Sequence, residues 1–330
     1  MIDASNAPAP HASSAATATD AGPLTGVFSP VLTPFEADRS PSARRFVRHC
    51  RWLVDQGVGL SIFGTNSEAN SLAVDERQAL LDLLVAEGLP ASRMMPGTAL
   101  CNVPETVRLS RHAVASGCAG VLMLPPFYYK GVSDDGLFRF FADVIEGVGD
   151  PRLRVYLYHI PPVTQVPLGL DLIGRLIDRY GHAIAGIKDS SGDWNNTRAL
   201  LERFQGPHFS VFAGSETFLL QTMRAGGAGC ITATGNVNPG AIQRLHRTWN
   251  DDAAAADARQ AALDRTRAIF ASRPIIAAMK RTLADRSGDR GWRTVRPPLV
   301  ELDDEQAAGL ARQLADDGFS VPDAERLACD

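Results

Sequence analysis

The chain has 330 residues, 45% of them hydrophobic and 21% charged, with a formal net charge of −4. That balance suits a globular protein with a sizeable core and gives no electrostatic reason to expect nucleic acid or a membrane surface as partner. No apolar run reaches the roughly 18 residues of a membrane span. The five cysteines lack a CxxC pair and no Cys/His cluster has ligand spacing, so reduced thiols, no metal and a cytoplasmic location are expected.

Residues 1–23 are rich in Ala, Ser, Thr and Pro, with neither a basic start nor a continuous apolar run. They read as a disordered extension rather than a signal peptide. From Gly26 onward one plan repeats: a short β-prone apolar run, a small or polar turn, then an amphipathic helix. A strand at 27–32 precedes a helix at 43–56, where Phe46, Val47, Trp52 and Leu53 are apolar. A strand at 60–63 precedes a helix at 74–87, with Leu80, Leu81, Leu83 and Leu84. Strands at 94–97, 120–124, 155–158, 184–187 and 211–213 follow. Their helices lie at 104–116, 134–146, 169–180, 196–204 and 216–225, and the eighth strand is 229–232. Gly57, Gly117, Gly181, Gly226 and Gly227 punctuate the boundaries.

Strands alternating with helices imply parallel pairing and right-handed crossovers, and eight units imply a closed ring. An open doubly wound sheet would carry a Gly-rich fingerprint after its first strand, and none is present. Beyond Asn238-Pro239 the pattern is almost continuous helix, interrupted by a loop at 287–298. The expected fold is α/β: a (β/α)8 TIM barrel over residues 24–245, with a C-terminal helical appendage, 246–330, packed on it.

Catalytic residues of such barrels sit at the C-terminal ends of strands. Lys188 ends the sixth strand, where its amine would leave the dry interior and could attack a ketone to form an imine. The alternative is a strand-capping lysine paired with Asp189. Tyr158 ends the fifth strand and could relay protons, or could be a core tyrosine. The turn from Gly64 to Asn70 offers backbone N–H groups and hydroxyls to a carboxylate, and Thr65 could bond Tyr158; alternatively it is a helix-capping loop. Tyr128 and Tyr129 lie in the loop after the fourth strand. Gly214, Glu216, Thr217 and Thr232 end strands seven and eight and are expected to face the same opening. His159 could be a base or a structural histidine, and Glu68 and Asp75 read as starting and capping the next helix.

Three motifs together carry a resemblance. Gly64-Thr65…Glu68 is similar to G-[ST]-T-G-E, Tyr158-His-Ile-Pro161 to Y-N-[VI]-P, and Gly186-Ile-Lys188-Asp-Ser-Ser-Gly192 to G-[IV]-K-x-[ASTx]-x-G. From about Gly26 to Pro298 the chain resembles the dihydrodipicolinate synthase / N-acetylneuraminate lyase family of class I aldolases and lyases. The resemblance implies Lys188 as the Schiff-base lysine and Tyr158 as the proton relay. It implies that Thr65 binds the pyruvate carboxylate and links the tyrosines, with Asn66 at the second carboxylate position. Tyr128, or Tyr129, would be exchanged between neighbouring subunits, and Gly214 and Ile231 would line the pocket. It further implies homotetramers built as dimers of dimers, with neither metal nor organic cofactor.

The departures point to the second substrate. Asn66 replaces a hydroxyl residue, Ser67 a glycine and His159 an asparagine. Val163 stands where the synthases carry an arginine for the carboxylate of aspartate semialdehyde, and valine cannot form that ion pair. Glu216 falls near the polyol-binding acid of the lyase branch. A lyase or aldolase acting on pyruvate, an aldehyde and a 2-keto-3-deoxy acid is therefore expected. Its rivals are 4-hydroxy-tetrahydrodipicolinate synthase and a non-catalytic keto-acid-binding barrel.

Overall fold

The computed structural model describes residues 22–98 and 100–329. All but the last two residues of the expected disordered extension lie outside them. Seven short strands are named: β1 Gly26–Ser29, β2 Gly59–Leu60, β3 Val121–Met123, β4 Val155–His159, β5 Ile184–Asp189, β6 Ser210–Ala213 and β7 Gly229–Ile231. All their pairings are parallel, in the order β2-β1-β7-β6-β5-β4-β3.

The strand expected at 94–97 is present only as two isolated bridges, Leu60 to Met94 and Gly97 to Leu122. The Met95 N–H donates to Leu60 O at 2.8 Å, and the Leu122 N–H to Pro96 O at 2.8 Å. The segment thus spans the gap between β2 and β3 and closes the ring. Pro96 has no N–H to donate, which interrupts the ladder. The result is a TIM-barrel-like α/β fold.

The helices are α1 Ala43–Asp55, α2 Val74–Ala86, α3 Val103–Ala115, α4 Asp134–Val148, α5 Pro161–Thr164, α6 Leu170–Tyr180 and α7 Trp194–Phe204. After them come α8 Leu219–Arg224, α9 Pro239–Thr248, α10 Ala253–Ala271, α11 Ile275–Ser287 and α12 Asp304–Asp316. Local chemistry sets their ends. The Asn102 side chain accepts from the Glu105 N–H at 2.9 Å with Pro104 in the first turn, and Ser133 accepts from the Gly136 N–H; such caps each contribute about 1 kcal/mol. The helix expected at 216–225 opens instead as a tight 3-10 turn, Glu216–Phe218, closed by the Thr217 N–H donating to Ser215 Oγ. The short α5 was not expected.

Strand alternation divides the core in two. Phe28, Met95, Leu122, Tyr156, Tyr158, Phe212 and Ile231 fill the ring interior, where Phe28 and Phe212 meet edge-on at 5.8 Å. Residues such as Val27, Ile187 and Val211 join the layer beneath the helices. Gly186 is required by this packing. A Cβ there would lie 2.4 Å from Ser210 O and 2.7 Å from the Tyr156 ring, so the ring occupies the space a side chain would need. Farther along the chain, α10 packs on α9 and on the turn at Glu216, while α11 packs on α12 and the turn at Arg290–Arg293.

Candidate active site

β5 sends Lys188 into the barrel and its neighbour Asp189 out toward the helices. The Asp189 carboxylate accepts from the Thr197 hydroxyl of α7 at 2.6 Å, and from the Ser191 N–H and hydroxyl at 3.0 and 3.1 Å. The pairing of Lys188 with Asp189, the alternative raised from sequence, is not made, and among the described residues no ion pair includes Lys188. Lys188 is 2% exposed. Its cross-strand partner is Tyr158, and its Nζ lies 4.2 Å from the centroid of that ring.

Tyr158 is the point where the polar groups converge. Its Oη lies 3.4 Å from Thr65 Oγ1. Burial raises the phenol's pKa, but the Lys188 charge, the Thr65 contact and the nearness of Lys188 and Ser190 outweigh it, leaving the pKa below the ordinary tyrosine value. Thr65 stands in a 3-10 turn, Thr65–Ser67, directly after β2. That turn is tied down by the Thr33 hydroxyl on Ser67 O at 2.7 Å and by the Gly64 N–H on Ser67 Oγ at 3.1 Å.

Glu68 corrects the reading of this loop. It does not cap α2: the Ala73 N–H donates to Glu76 instead, at 2.9 Å. Asp75 does lie in the first turn of α2, paired with Arg108. Glu68 takes the left-handed conformation, φ 55°, and turns inward to the fully buried Lys280 of α11. It also accepts from the Arg296 N–H at 2.8 Å. Lys280 further donates to Thr294 O at 2.8 Å and lies 4.4 Å from the Phe35 ring centroid. Burial lowers the Lys280 ammonium to about 8, against the opposing pull of Glu68. A residue of α11 thus anchors the loop that carries Thr65.

Lys188, Tyr158, Thr65, Asn66 and Gly214 all line one cavity of about 620 Å3, within the usual range of small-molecule sites. Gly214 is a close-approach position. Its N–H donates to Asp189 O at 2.7 Å, and a Cβ would lie 2.0 Å from Ser190 Oγ. Ile160 and Val163 line the same cavity, and Val163 is 60% exposed.

Three expected site residues, Glu216, Thr232 and Ile231, are not among those lining this cavity, while Tyr128, expected to reach a neighbouring subunit, stands at the surface. Glu216 and Thr232 do not face the opening: Glu216 is 1% exposed, and its two oxygens are taken by the hydroxyls of Thr232 and Thr234. A buried carboxylate needs such donors, and both come from the end of β7. Ile231 is wholly buried in the barrel interior. Tyr128 is 73% exposed, edge-on to Tyr129 at 5.3 Å. His159 is buried and accepts the Leu168 N–H on Nδ1 at 3.0 Å, a structural contact; burial lowers its pKa.

Not foreseen from the sequence is the side of the cavity formed by Asp264, Arg267, Ala268 and Ala271 of α10, with Ile275. Their helical spacing was legible, but nothing in it says which way that face points.

Comparison with known proteins gives a consistent result. The profile of the dihydrodipicolinate synthetase family matches residues 23–316. A DapA-like lyase of Chloroflexus aurantiacus is 32% identical over 290 residues, 86% of this chain and 94% of that protein. The putative 2-dehydro-3-deoxy-D-gluconate aldolase YagE of Escherichia coli K12 is 31% identical over 292 residues, 87% of this chain and 95% of its own. The crystal structure of YagE in complex with pyruvate superposes with a TM-score of 0.81 at 30% identity, covering 90% of this chain and 99% of that one. The dihydrodipicolinate synthase of Agrobacterium tumefaciens C58 also gives 0.81, at 29% identity over 88% of this chain and 99% of its own. With motifs, fold and nearly the full length in agreement, the chain belongs to the dihydrodipicolinate synthetase family and is a carbon–carbon lyase of that family.

Proposed function

We propose that the protein is a class I aldolase or lyase that joins pyruvate to a hydroxylated aldehyde, or cleaves the resulting 2-keto-3-deoxy acid, through an imine on Lys188. The observation that carries this reading is a buried lysine that pairs with no carboxylate among the described residues, 4.2 Å from the ring of a tyrosine with a lowered pKa, on the wall of a substrate-sized cavity. The likeness to YagE, a putative 2-dehydro-3-deoxy-D-gluconate aldolase whose crystal structure holds pyruvate, supports the substrate class.

The keto acid's carboxylate docks on Thr65 and Asn66. Lys188 Nζ adds to the C2 carbonyl, and Tyr158 passes a proton to the departing hydroxyl, which leaves as water. In the protonated imine the C3–C4 bonding pair moves to C3, forming an enamine as nitrogen takes the displaced π electrons. The C4 hydroxyl gives its proton to Tyr158 and leaves as an aldehyde. Protonation at C3 and hydrolysis release pyruvate. The imine is the electron sink, so no further cofactor is required by this scheme. Exposed Tyr128 would complete a neighbour's relay in a cytoplasmic homotetramer, a state that sedimentation analysis can check.

The test is the intact mass after incubation with pyruvate and sodium borohydride, beside Lys188→Ala. A reduced pyruvyl adduct is expected on the wild type alone; a folded protein that acquires none is not a pyruvate lyase. The second reading, 4-hydroxy-tetrahydrodipicolinate synthase, draws on the Agrobacterium fabrum relative of that name, 29% identical over 279 residues. Turnover of pyruvate with aspartate semialdehyde at rates above those with hydroxylated aldehydes would favour it, and Val163 argues against it.

A further inference from the structure

α10 presents Asp264, Arg267, Ala268 and Ala271 to the cavity. Positions i, i+3, i+4 and i+7 share one face of a helix, so these residues form a single wall. The two alanines keep it low, and the cavity of about 620 Å3 extends beyond what a three-carbon keto acid fills. The polar pair is held from behind. Arg267 Nη1 lies 3.4 Å from a carboxylate oxygen of buried Glu216. Gln260 donates to Asp264 at 2.8 Å and to Glu216 O at 2.9 Å. Among the described residues, the rest of the Arg267 fork and the second oxygen of Asp264 make no hydrogen bond.

We propose that this face of α10 selects the second substrate, and that it takes a neutral polyhydroxy aldehyde. The proposal rests on the aldolase reading above and specifies its acceptor. Adjacent hydroxyls of a polyol each donate and accept, whereas Arg267 only donates and ionised Asp264 only accepts. One helical turn apart, the two residues can engage neighbouring hydroxyls. Charge disfavours an aldehyde bearing its own carboxylate. The Arg267 cation is met by Glu216, while Asp264 adds a negative charge that no described cation pairs. Glu216 itself is a positioning residue: it orients Arg267 and does not reach the cavity.

The experiment measures steady-state condensation of pyruvate with glyceraldehyde, with propanal as the acceptor lacking hydroxyls, and with aspartate semialdehyde. The wild type is compared with Asp264→Ala, Arg267→Met and Arg267→Lys. The wild type should favour glyceraldehyde. Asp264→Ala and Arg267→Met should each lower its preference over propanal roughly ten- to hundredfold, the worth of a charge-assisted hydrogen bond. The loss should fall mainly on KM, with partial recovery in Arg267→Lys. Ala268→Leu, which adds bulk to the wall without removing a contact, should penalise glyceraldehyde more than propanal. A preference unmoved by all of these, or a wild type that favours aspartate semialdehyde, overturns the proposal. Borohydride trapping on the wild type separates the two levels. An adduct with unmoved preference sinks only the α10 wall, and no adduct sinks the aldolase reading and this inference with it.

Discussion

At Tyr158 two opposed effects act on one proton: burial holds it on, while Lys188, Thr65 and Ser190 favour its loss. The second set prevails, so the phenol ionises below the ordinary value of about 10. A step that needs Tyr158 as proton acceptor should therefore gain rate with rising pH along a limb below pH ~10. Thr65→Val removes one of the lowering contacts and should move that limb upward in a kcat/KM profile; a limb that stays in place would uncouple Thr65 from the relay. Tyr158→Phe keeps the ring against Lys188 and removes the proton carrier. Its kcat should fall by about 10²–10⁴. That Lys188 and Tyr158 face one cavity was legible from sequence because a strand end fixes where a side chain emerges. Glu216 was misread because its chemistry, a carboxylate near an opening, was visible while its donors, Thr232 and Thr234, lie on another unit.

Among the elements, β5 shows how closely the ring is fitted. Ile184–Asp189 is buried throughout, yet its residues serve three purposes: Ile187 packs beneath the helices, Lys188 enters the cavity, and Gly186 yields its space to Tyr156. Gly186→Ala forces a methyl group against Ser210 O and the Tyr156 ring, so β5 and β6 must separate. Overpacking of this kind costs about 1–3 kcal/mol, which urea unfolding would register as a lowered midpoint. A midpoint equal to wild type would mean that the ring relaxes more freely than its packing implies. Most helices follow their periodicity to within a few residues, because an apolar stripe has a single stable orientation on the barrel. Departures from the expected elements have local causes: Pro96 breaks the ladder of the strand at 94–97, and Ser215 closes a 3-10 turn where the start of a helix was expected.

Across the whole molecule, the C-terminal helices act on the cavity in two ways: α10 supplies part of its wall, and α11 anchors the Thr65 loop through Lys280 and Glu68. A buried ion pair adds little net stability when intact, but removal of one partner strands a charge and costs about 3–5 kcal/mol. Lys280→Met and Glu68→Gln should each lower the denaturation midpoint strongly, and the double variant should recover part of the loss. Losses that simply add in the double variant would show that the two side chains are not coupled.

Residues close together in the chain were enough to read the order of most strands and helices, the strand ends that carry Lys188 and Tyr158, and the family motifs. Packing between distant elements set the rest: Asp189 turns away from Lys188, Glu68 faces Lys280 across 212 positions of sequence, and Glu216 lies behind the cavity rather than in it. It also decided that Asp264 and Arg267 face the cavity. Periodicity fixes which side chains share a face, whereas the neighbour opposite that face is set by how distant elements pack.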